Sequence, residues 1–207
     1  MPYSSHTREP KDTAQDTLLL LFLLQQGGDK ICGKNSFDAK IKLMKLVFLA
    51  EMEMVSKRLK GFNFFYNIYK HGPSSMELLQ LVDDLEARKF INYDSENVIY
   101  SLTPKAKRVV SDFKAEVGPS SKEFFEVISK IIEENASLST QDLLKKVYEM
   151  KFIPNGEKEI TIGEGVKREL RNRLLMKLDK PEKELNMPNE WVVTLNMLMN
   201  NEFVGLV

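Results

Sequence analysis

The sequence predicts a mainly α fold with a minor β component, namely a winged helix-turn-helix with a helical C-terminal extension. Three consecutive stretches predict it. Residues 74–89 have the apolar spacing of an amphipathic helix, and residues 90–102 have the pattern of a β-hairpin. Thr103 and Pro104 are an N-cap and a proline at the first helical position. A helix, a hairpin wing and another helix in this order form the second half of a winged helix-turn-helix.

The helix after the HGPS turn has a clear start and a clear buried face. Ser74, followed by Glu77 three residues later, predicts a capping box. An apolar stripe at helical spacing follows, formed by Met76, Leu79, Val82 and Leu85. Turn residues 92–97 then separate an extended start at Phe90 from a returning strand, in which Val98, Tyr100 and Leu102 alternate.

Breaks along the chain divide it into four predicted segments. These are a flexible N-terminus (1–12), the winged helix-turn-helix domain (13–118), a helical pair packed on it (119–156) and the helical C-terminal extension (157–207). The first helix is expected to open at Thr13 or Asp16, and the second to run from a Ser36 cap to about residue 60.

The later helices are predicted from their caps and breakers. Gly118 and Pro119 should end the helix that begins at Pro104, and Ser120 should cap the next one. Ser139 with Asp142 predicts a further cap. In the extension, residues 165–179 are expected to be helical, residues 181–188 to form a charged linker, and the last helix to start at Asn189.

The composition excludes several classes of protein. Lys and Arg total 30 and Asp and Glu total 30, so a non-specific nucleic-acid coat protein is disfavoured. The single cysteine, Cys32, excludes an internal disulfide and fits a reducing, cytoplasmic setting. The apolar run 18–24 (LLLLFLL) falls far short of the roughly 20 residues that span a bilayer. We therefore expect a buried helix there and no membrane association.

No chemistry-bearing motif is present. Cys32 and His71 are a nucleophile and a base in principle, but no distinctive motif surrounds either. Two histidines without clustered cysteines argue against zinc, and no phosphate-binding glycine loop occurs. We predict no enzymatic activity, no metal and no cofactor.

The helix that a DNA-binding protein would insert into the major groove is acidic here. Residues 74–90 contain four acidic and two basic residues, whereas phosphate contacts need Lys or Arg. We therefore predict a protein partner, bound through Phe65, Tyr69, Glu77, Gln80, Asp84 and Arg88. Phe65 and Tyr69 are included because the predicted strand 62–69 has bulky side chains on both faces, and both faces must be buried. The ordinary role of such aromatic residues is packing in the core.

The alternative function is a dimeric regulator that binds double-stranded DNA. Its contacts, which would equally suit an acidic partner, are Lys70, Lys89, Lys105, Lys107, Arg108, Lys167, Arg168 and Arg171. The ordinary interpretation of both charged sets is a solvated helix face. Met187, Trp191, Met197 and Met199 in the tail would suit a second subunit or the chain's own domain.

Four segments in order resemble the SocA-like antitoxin (Panacea) and YwgA-like family of winged-helix proteins. Residues 42–48 (KLMKLVF) resemble its "LQKLLYF" helix, residues 69–73 (YKHGP) its "YGP" turn, residues 100–103 (YSLT) its wing and residues 143–154 (LLKKVYEMKFIP) its "LL..VY..YP" segment. Ala106 replaces the glycine that usually ends the wing motif. The resemblance implies a non-enzymatic antitoxin, adaptor or regulator that binds a protein or DNA and needs no cofactor.

Overall fold

The computed structural model describes residues 8–153, 158–169, 173–174 and 181–199, and this part of the chain is mainly helical. Its α-helices are α1 (Pro10–Gly27), α2 (Ser36–Ser56), α3 (Met76–Ala87), α4 (Pro104–Asn135), α5 (Thr140–Tyr148), α6 (Ile162–Lys167) and α7 (Asn189–Met199). A 3-10 turn, Gly28–Lys30, follows α1.

Short strands pair into four small sheets within the described residues. The strands are β1 (Leu59–Lys60), β2 (Tyr66–Tyr69), β3 (Gly72–Ser74), β4 (Ile91–Asp94), β5 (Ile99–Leu102), β6 (Lys151–Phe152), β7 (Ile160–Thr161), β8 (Arg173–Leu174) and β9 (Lys183–Glu184). Strand β2 is antiparallel to both β3 and β8, whereas β1 is parallel to β9. Hairpins β4–β5 and β6–β7 complete the set.

Helix α1 lies at the centre of the core and packs against α4 and α7. The apolar run Leu18–Leu24 is at most 2% exposed along its whole length, which confirms a helix buried on most of its surface. In the described part of the chain, no helix combines the length and the apolar character needed to cross a membrane. The helix begins at Pro10 rather than at Thr13 or Asp16, and Asp16 lies fully buried inside it.

Helix α3 and the hairpin after it confirm part of the local prediction, but Met76 of the predicted buried stripe is 67% exposed, and Leu78 and Leu81 are buried instead. The predicted capping box is wrong: the N-cap is Ser75, whose hydroxyl accepts from the Leu78 N–H, while the Glu77 carboxylate bonds elsewhere. Strands β4 and β5 pair antiparallel, as predicted, but the predicted bounds of the turn are wrong, because residues 92–94 belong to β4 and Val98 lies in the turn at φ +57°. Thr103 caps α4 by accepting from the Ala106 N–H.

A break is predicted at Gly118 and Pro119, and the structure has one two residues later, at Ser121. Helix α4 continues through both residues, and only Ser121, at φ −119° and ψ 16°, leaves helical geometry and bends it. Apolar residues on either side of the bend, Phe113 and Phe125, are in edge contact with each other at 6.3 Å between centroids. This shared burial holds the two halves together as one kinked helix.

Two other boundaries also differ from the prediction. The N-cap of α2 is Asn35 instead of Ser36, and the helix ends at Ser56 because the chain turns into β1. Helix α5 is capped as expected by Ser139, which accepts from the Asp142 N–H.

Segments of the C-terminal extension pair with strands and pack on helices from earlier in the chain. Helix α6 starts at Ile162 with a Thr161–Glu164 capping box and ends at Lys167, so the helix predicted over 165–179 is wrong in both bounds. Leu174 instead lies in strand β8, where it pairs with Tyr66 of β2. Strand β9 occupies part of the predicted linker. Helix α7 packs on its own domain, as shown by the Trp191 indole N–H, which donates to Glu116 at 2.7 Å.

Candidate functional site

A groove of about 250 Å³ lies between α3, α7 and the start of α1. The predicted partner-binding residues on α3 all line it: Glu77, Gln80, Asp84 and Arg88. Their spacing of three and four residues puts them on one face of the helix. The remaining lining residues are Arg8, Thr13, Leu81, Asn196 and Met199. The structure therefore brings together four of the six residues that the sequence selected.

These four side chains differ in how far they reach solvent. Gln80 is exposed, whereas Glu77, Asp84 and Arg88 are half-buried. The backbone N–H of Phe65 donates to Glu77 Oε2 at 2.9 Å, which turns this carboxylate toward the extended segment before β2. Glu77 is thus held in place at the wall of the groove, and Gln80 is the most exposed of the four side chains.

The two predicted aromatic contacts lie apart from each other. Phe65 is half-buried beside Glu77, whereas Tyr69 lies at the end of β2, opposite Gly72, with 46% of its surface exposed. The alternation predicted for residues 62–69 is confirmed: Phe62, Phe64, Tyr66 and Ile68 are buried, and the residues between them are not.

A buried charged cluster behind the groove was missed by the sequence analysis. Arg8 forms an ion pair with Asp16, and its guanidinium lies 5.2 Å from the centroid of the Phe64 ring. Asp16 Oδ1 accepts from the Asn63 N–H at 2.8 Å. Burial lowers the pKa of Arg8, while the nearby carboxylates, Glu77 foremost, raise it. A carboxylate inside an otherwise apolar helix, such as Asp16, was the available signal.

Glu51 extends this cluster into the core. Burial raises its pKa well above the ordinary value, although the adjoining Tyr66 hydroxyl and Arg8 act in the opposite direction. Burial likewise raises the pKa of Tyr66, with Glu51 as the next cause. Glu51 Oε2 has no hydrogen-bond partner among the described residues. An almost fully buried carboxyl of this kind favours its protonated form.

The HGP turn before α3 is held by a buried lysine. The Lys45 ammonium on α2 donates to the carbonyl of Pro73, and burial lowers the pKa of Lys45 to about 7. Next to this turn, the His71 ring meets the Phe37 ring edge-on at 5.4 Å. Burial lowers the pKa of His71, and Lys70 and Lys45 lower it further.

The predicted basic residues are exposed but belong to different elements. Lys89, Lys105, Lys107 and Arg108 lie at the end of α3 and the start of α4, where the Lys105 ammonium is 4.3 Å from the centroid of the Phe90 ring. Lys70 lies in the β2–β3 turn, and Lys167 and Arg168 lie at the end of α6. Arg171 lies outside the described residues.

Cys32 and His71, the two residues considered for catalysis, make different contacts in the described ranges. Cys32 forms a β-bridge with Ile99, whereas His71 packs on Phe37 in the β2–β3 turn. Across the described residues, His, Cys, Asp and Glu do not gather in any group of three or more that could hold a metal ion.

Comparison with known proteins identifies the family. The family model described as antitoxin SocA-like, Panacea domain, matches residues 43–151, just over half of the 207-residue chain. No curated protein and no solved structure matches the chain. The match begins within α2 and covers α3, the β4–β5 hairpin, α4 and α5, and an antitoxin description indicates a regulatory role. This chain therefore belongs to the SocA-like antitoxin family, as a Panacea-domain protein.

Proposed function

We propose that this protein is a non-catalytic antitoxin- or adaptor-like regulator, cytoplasmic in location, that binds a protein partner in the groove between α3 and α7. The observation that carries the proposal is the convergence of Glu77, Gln80, Asp84 and Arg88 on one groove. A mixed set of charged, polar and apolar side chains in a concave surface suits the side chains of another polypeptide.

The shape of the groove favours a polypeptide over a DNA duplex. Asn196 and Met199 of α7 line the side of the groove opposite α3. A duplex whose major groove received this face of α3 would collide with α7, because the major groove is only wide enough to admit one α-helix. A partner's side chains or a single helix turn fit a space of this size.

The charge of α3 points the same way. The exposed residues of the helix outside the groove include Asp83 and Glu86. Asp83 is paired with Lys40 at 2.8 Å, and this pair lies at the surface, where its contribution to stability is small. With Asp84 in the groove, α3 offers phosphates a predominantly negative surface, which favours a basic polypeptide as the ligand.

We further propose that residues 10–135 form a winged helix-turn-helix. The order α1, an extended residue at Cys32, α2, α3, β4 and β5 is that of a winged helix. In support, the extended residue Cys32 bridges Ile99 of β5, and β5 pairs with β4. Strand β5 therefore lies between Cys32 and β4, as the third strand of a winged helix lies between the first and the second. The connection between α2 and α3 is longer than the 3–4 residues of a simple helix-turn-helix, because it contains β1, β2 and β3.

Titration of the purified partner tests the proposed function. The protein encoded beside this chain is the first candidate for that partner, and isothermal titration would measure its affinity. We expect Asp84→Lys to weaken binding about tenfold or more, as truncation or reversal at an interface centre does. Glu86→Lys makes the same charge change on an exposed position of α3 outside the groove, and it should leave affinity within about twofold. Equal affinities for the two variants would contradict the groove as the binding site.

The alternative function, a dimeric regulator that binds double-stranded DNA, is favoured by one observation. Lys89, Lys105, Lys107 and Arg108 are all exposed around the β4–β5 hairpin and the start of α4. A mobility-shift series over salt with a random duplex distinguishes the two functions. Neutralising several phosphates would give a steep fall of affinity with salt, about one unit of slope per phosphate. The protein-partner proposal expects weak binding with a shallow slope.

A further inference from the structure

We infer that Asp16, Phe64 and Glu77 form a guanidinium-binding slot, which Arg8 fills from within the chain and which an arginine side chain of the protein partner fills in the complex. The slot itself stands on its geometry alone. Its use by a partner rests on the proposed function.

Two carboxylates on different helices are fixed by two backbone N–H groups of one extended segment. The Asn63 N–H donates to Asp16 on α1 at 2.8 Å, and the Phe65 N–H donates to Glu77 on α3 at 2.9 Å. Phe64 lies between the two donors in the sequence, and its ring is buried at 4% exposure. One extended segment therefore positions both carboxylates and supplies the aromatic ring that Arg8 contacts.

This arrangement has the chemistry that recognises guanidinium rather than ammonium. A guanidinium group is planar, donates to carboxylates from its edge and stacks through its face on an aromatic ring. Arg8 makes both kinds of contact, with Asp16 through an ion pair and with Phe64 at 5.2 Å. A compact lysine ammonium would satisfy the carboxylates and would still be attracted to the ring, but it has no planar face to stack on it.

The slot opens into the α3–α7 groove. Arg8 and Glu77 both line that groove, together with Asp84 and Gln80. The Arg8 side chain is 19% exposed, whereas Asp16 beneath it is completely buried. A side chain that arrives along the groove can therefore replace Arg8 while the buried carboxylate remains in place.

Exchange of this kind would make Arg8 an internal competitor of the partner. Removing Arg8 leaves the buried carboxylate of Asp16 without its ion-pair partner, which is costly unless another cation enters. The vacated slot should therefore bind an arginine side chain even when that side chain is not part of a partner protein.

Binding of N-acetyl-arginine amide to the full chain tests the slot without any partner. We expect Arg8→Ala to bind this probe at least about tenfold more tightly than the wild type, and to bind N-acetyl-lysine amide about tenfold more weakly than the arginine probe. Calorimetry or the chemical shifts of the Asn63 and Phe65 amides would report it. Equal binding by Arg8→Ala and the wild type, or equal binding of both probes, would overturn the inference.

Two further variants make the result specific. On the Arg8→Ala background, Glu77→Gln keeps an acceptor for the Phe65 N–H but removes the charge, so probe affinity should fall severalfold. Glu86→Gln removes a charge from α3 outside the groove and should leave affinity unchanged. If Arg8→Ala does not fold, Arg8→Gln replaces it as a neutral side chain, and this variant should likewise bind the arginine probe more tightly than the wild type does.

The outcome is separable from that of the proposed function. Asp84→Lys should weaken partner binding whether or not the slot exists, because Asp84 is not one of the residues that form the slot. If Asp84→Lys abolishes partner binding while Arg8→Ala shows no preference for the arginine probe, the slot is wrong and the groove stands.

Discussion

The Lys45 ammonium on α2 donates a hydrogen bond to the carbonyl of Pro73, at the turn that leads into α3. Lys45 is 2% exposed, so the bond joins two elements in the interior of the protein. It ties the turn that precedes α3 to helix α2. Lys45 and Pro73 both lie within the segment that matches the antitoxin family.

Lys45→Met should remove a specific pH dependence of stability. Burial lowers the pKa of Lys45 to about 7 in the folded chain, against about 10.4 when unfolded. Between these values the unfolded chain holds a proton that the folded chain has lost, so the free energy of unfolding rises with pH by up to about 1.4 kcal/mol per pH unit. Urea unfolding of both proteins at pH 7 and pH 9 measures it. A difference between the two proteins that does not change with pH would contradict the buried, titrating lysine.

Glu51→Gln should stabilise the protein at neutral pH by about 1–3 kcal/mol, because the wild-type chain must take up a proton at Glu51 when it folds and an amide need not. Burial raises the pKa of Glu51 well above its usual range. From about pH 4.3 up to that raised pKa, the folded chain holds a proton that the unfolded chain has lost, so wild-type stability falls as pH rises. The gain of the variant should therefore shrink as pH falls toward 4. A variant that is less stable than the wild type at pH 7 would show that Glu51 is ionised and satisfied.

Gly72→Ala should destabilise the protein by about 1–2 kcal/mol, because a side chain is strained at the positive φ of this position. Gly72 has φ +77°, and an added Cβ would lie 3.1 Å from Tyr148 Cε1. Gly118→Ala is the matched control, since Gly118 lies in α4 and its added Cβ would meet only Lys114 Cγ at 3.5 Å. The control should be neutral or more stable by up to about 1 kcal/mol. Thermal unfolding compares them, and equal losses would contradict the account of the turn.

Trp191→Ala should loosen α7 and lower stability by about 2 kcal/mol, because it removes both an aromatic contact and a hydrogen bond. Trp191 meets the Phe113 ring edge-on at 5.3 Å and donates to Glu116 at 2.7 Å. Val193, on the same helix, is 55% exposed, so Val193→Ala should change stability by less than about 0.5 kcal/mol. Hydrogen exchange of the α7 amides would follow the loosening directly. Unchanged exchange rates of the α7 amides in Trp191→Ala would show that other contacts hold α7 in place.

Local signals in the sequence were sufficient for much of the fold. The α5 cap at Ser139, the α4 start at Thr103 and the β4–β5 hairpin depend on residues within a few positions of one another. The same is true of the face that Glu77 and Asp84 share, because helical spacing alone decides it.

Long-range pairing explains what the sequence could not reveal. Glu77 was expected to cap its own helix, but its carboxylate accepts from Phe65, twelve residues earlier. Strand β9 in the predicted linker exists only through its pairing with β1, as in Leu59 opposite Lys183. The slot combines Arg8, Asp16, Phe64 and Glu77 from separate elements, which no local pattern could bring together.

Site-specific photo-crosslinking from position 80 tests the central claim most directly. Gln80 is exposed and lines the groove, so a photoreactive phenylalanine analogue placed there in cells should crosslink to a partner polypeptide. The same analogue at the exposed Glu86, outside the groove, is the control and should give at most a weak product. A protein adduct from position 80 that is lost when Asp84→Lys is added is the predicted result. A nucleic-acid adduct, or equal protein adducts from both positions, would contradict the account.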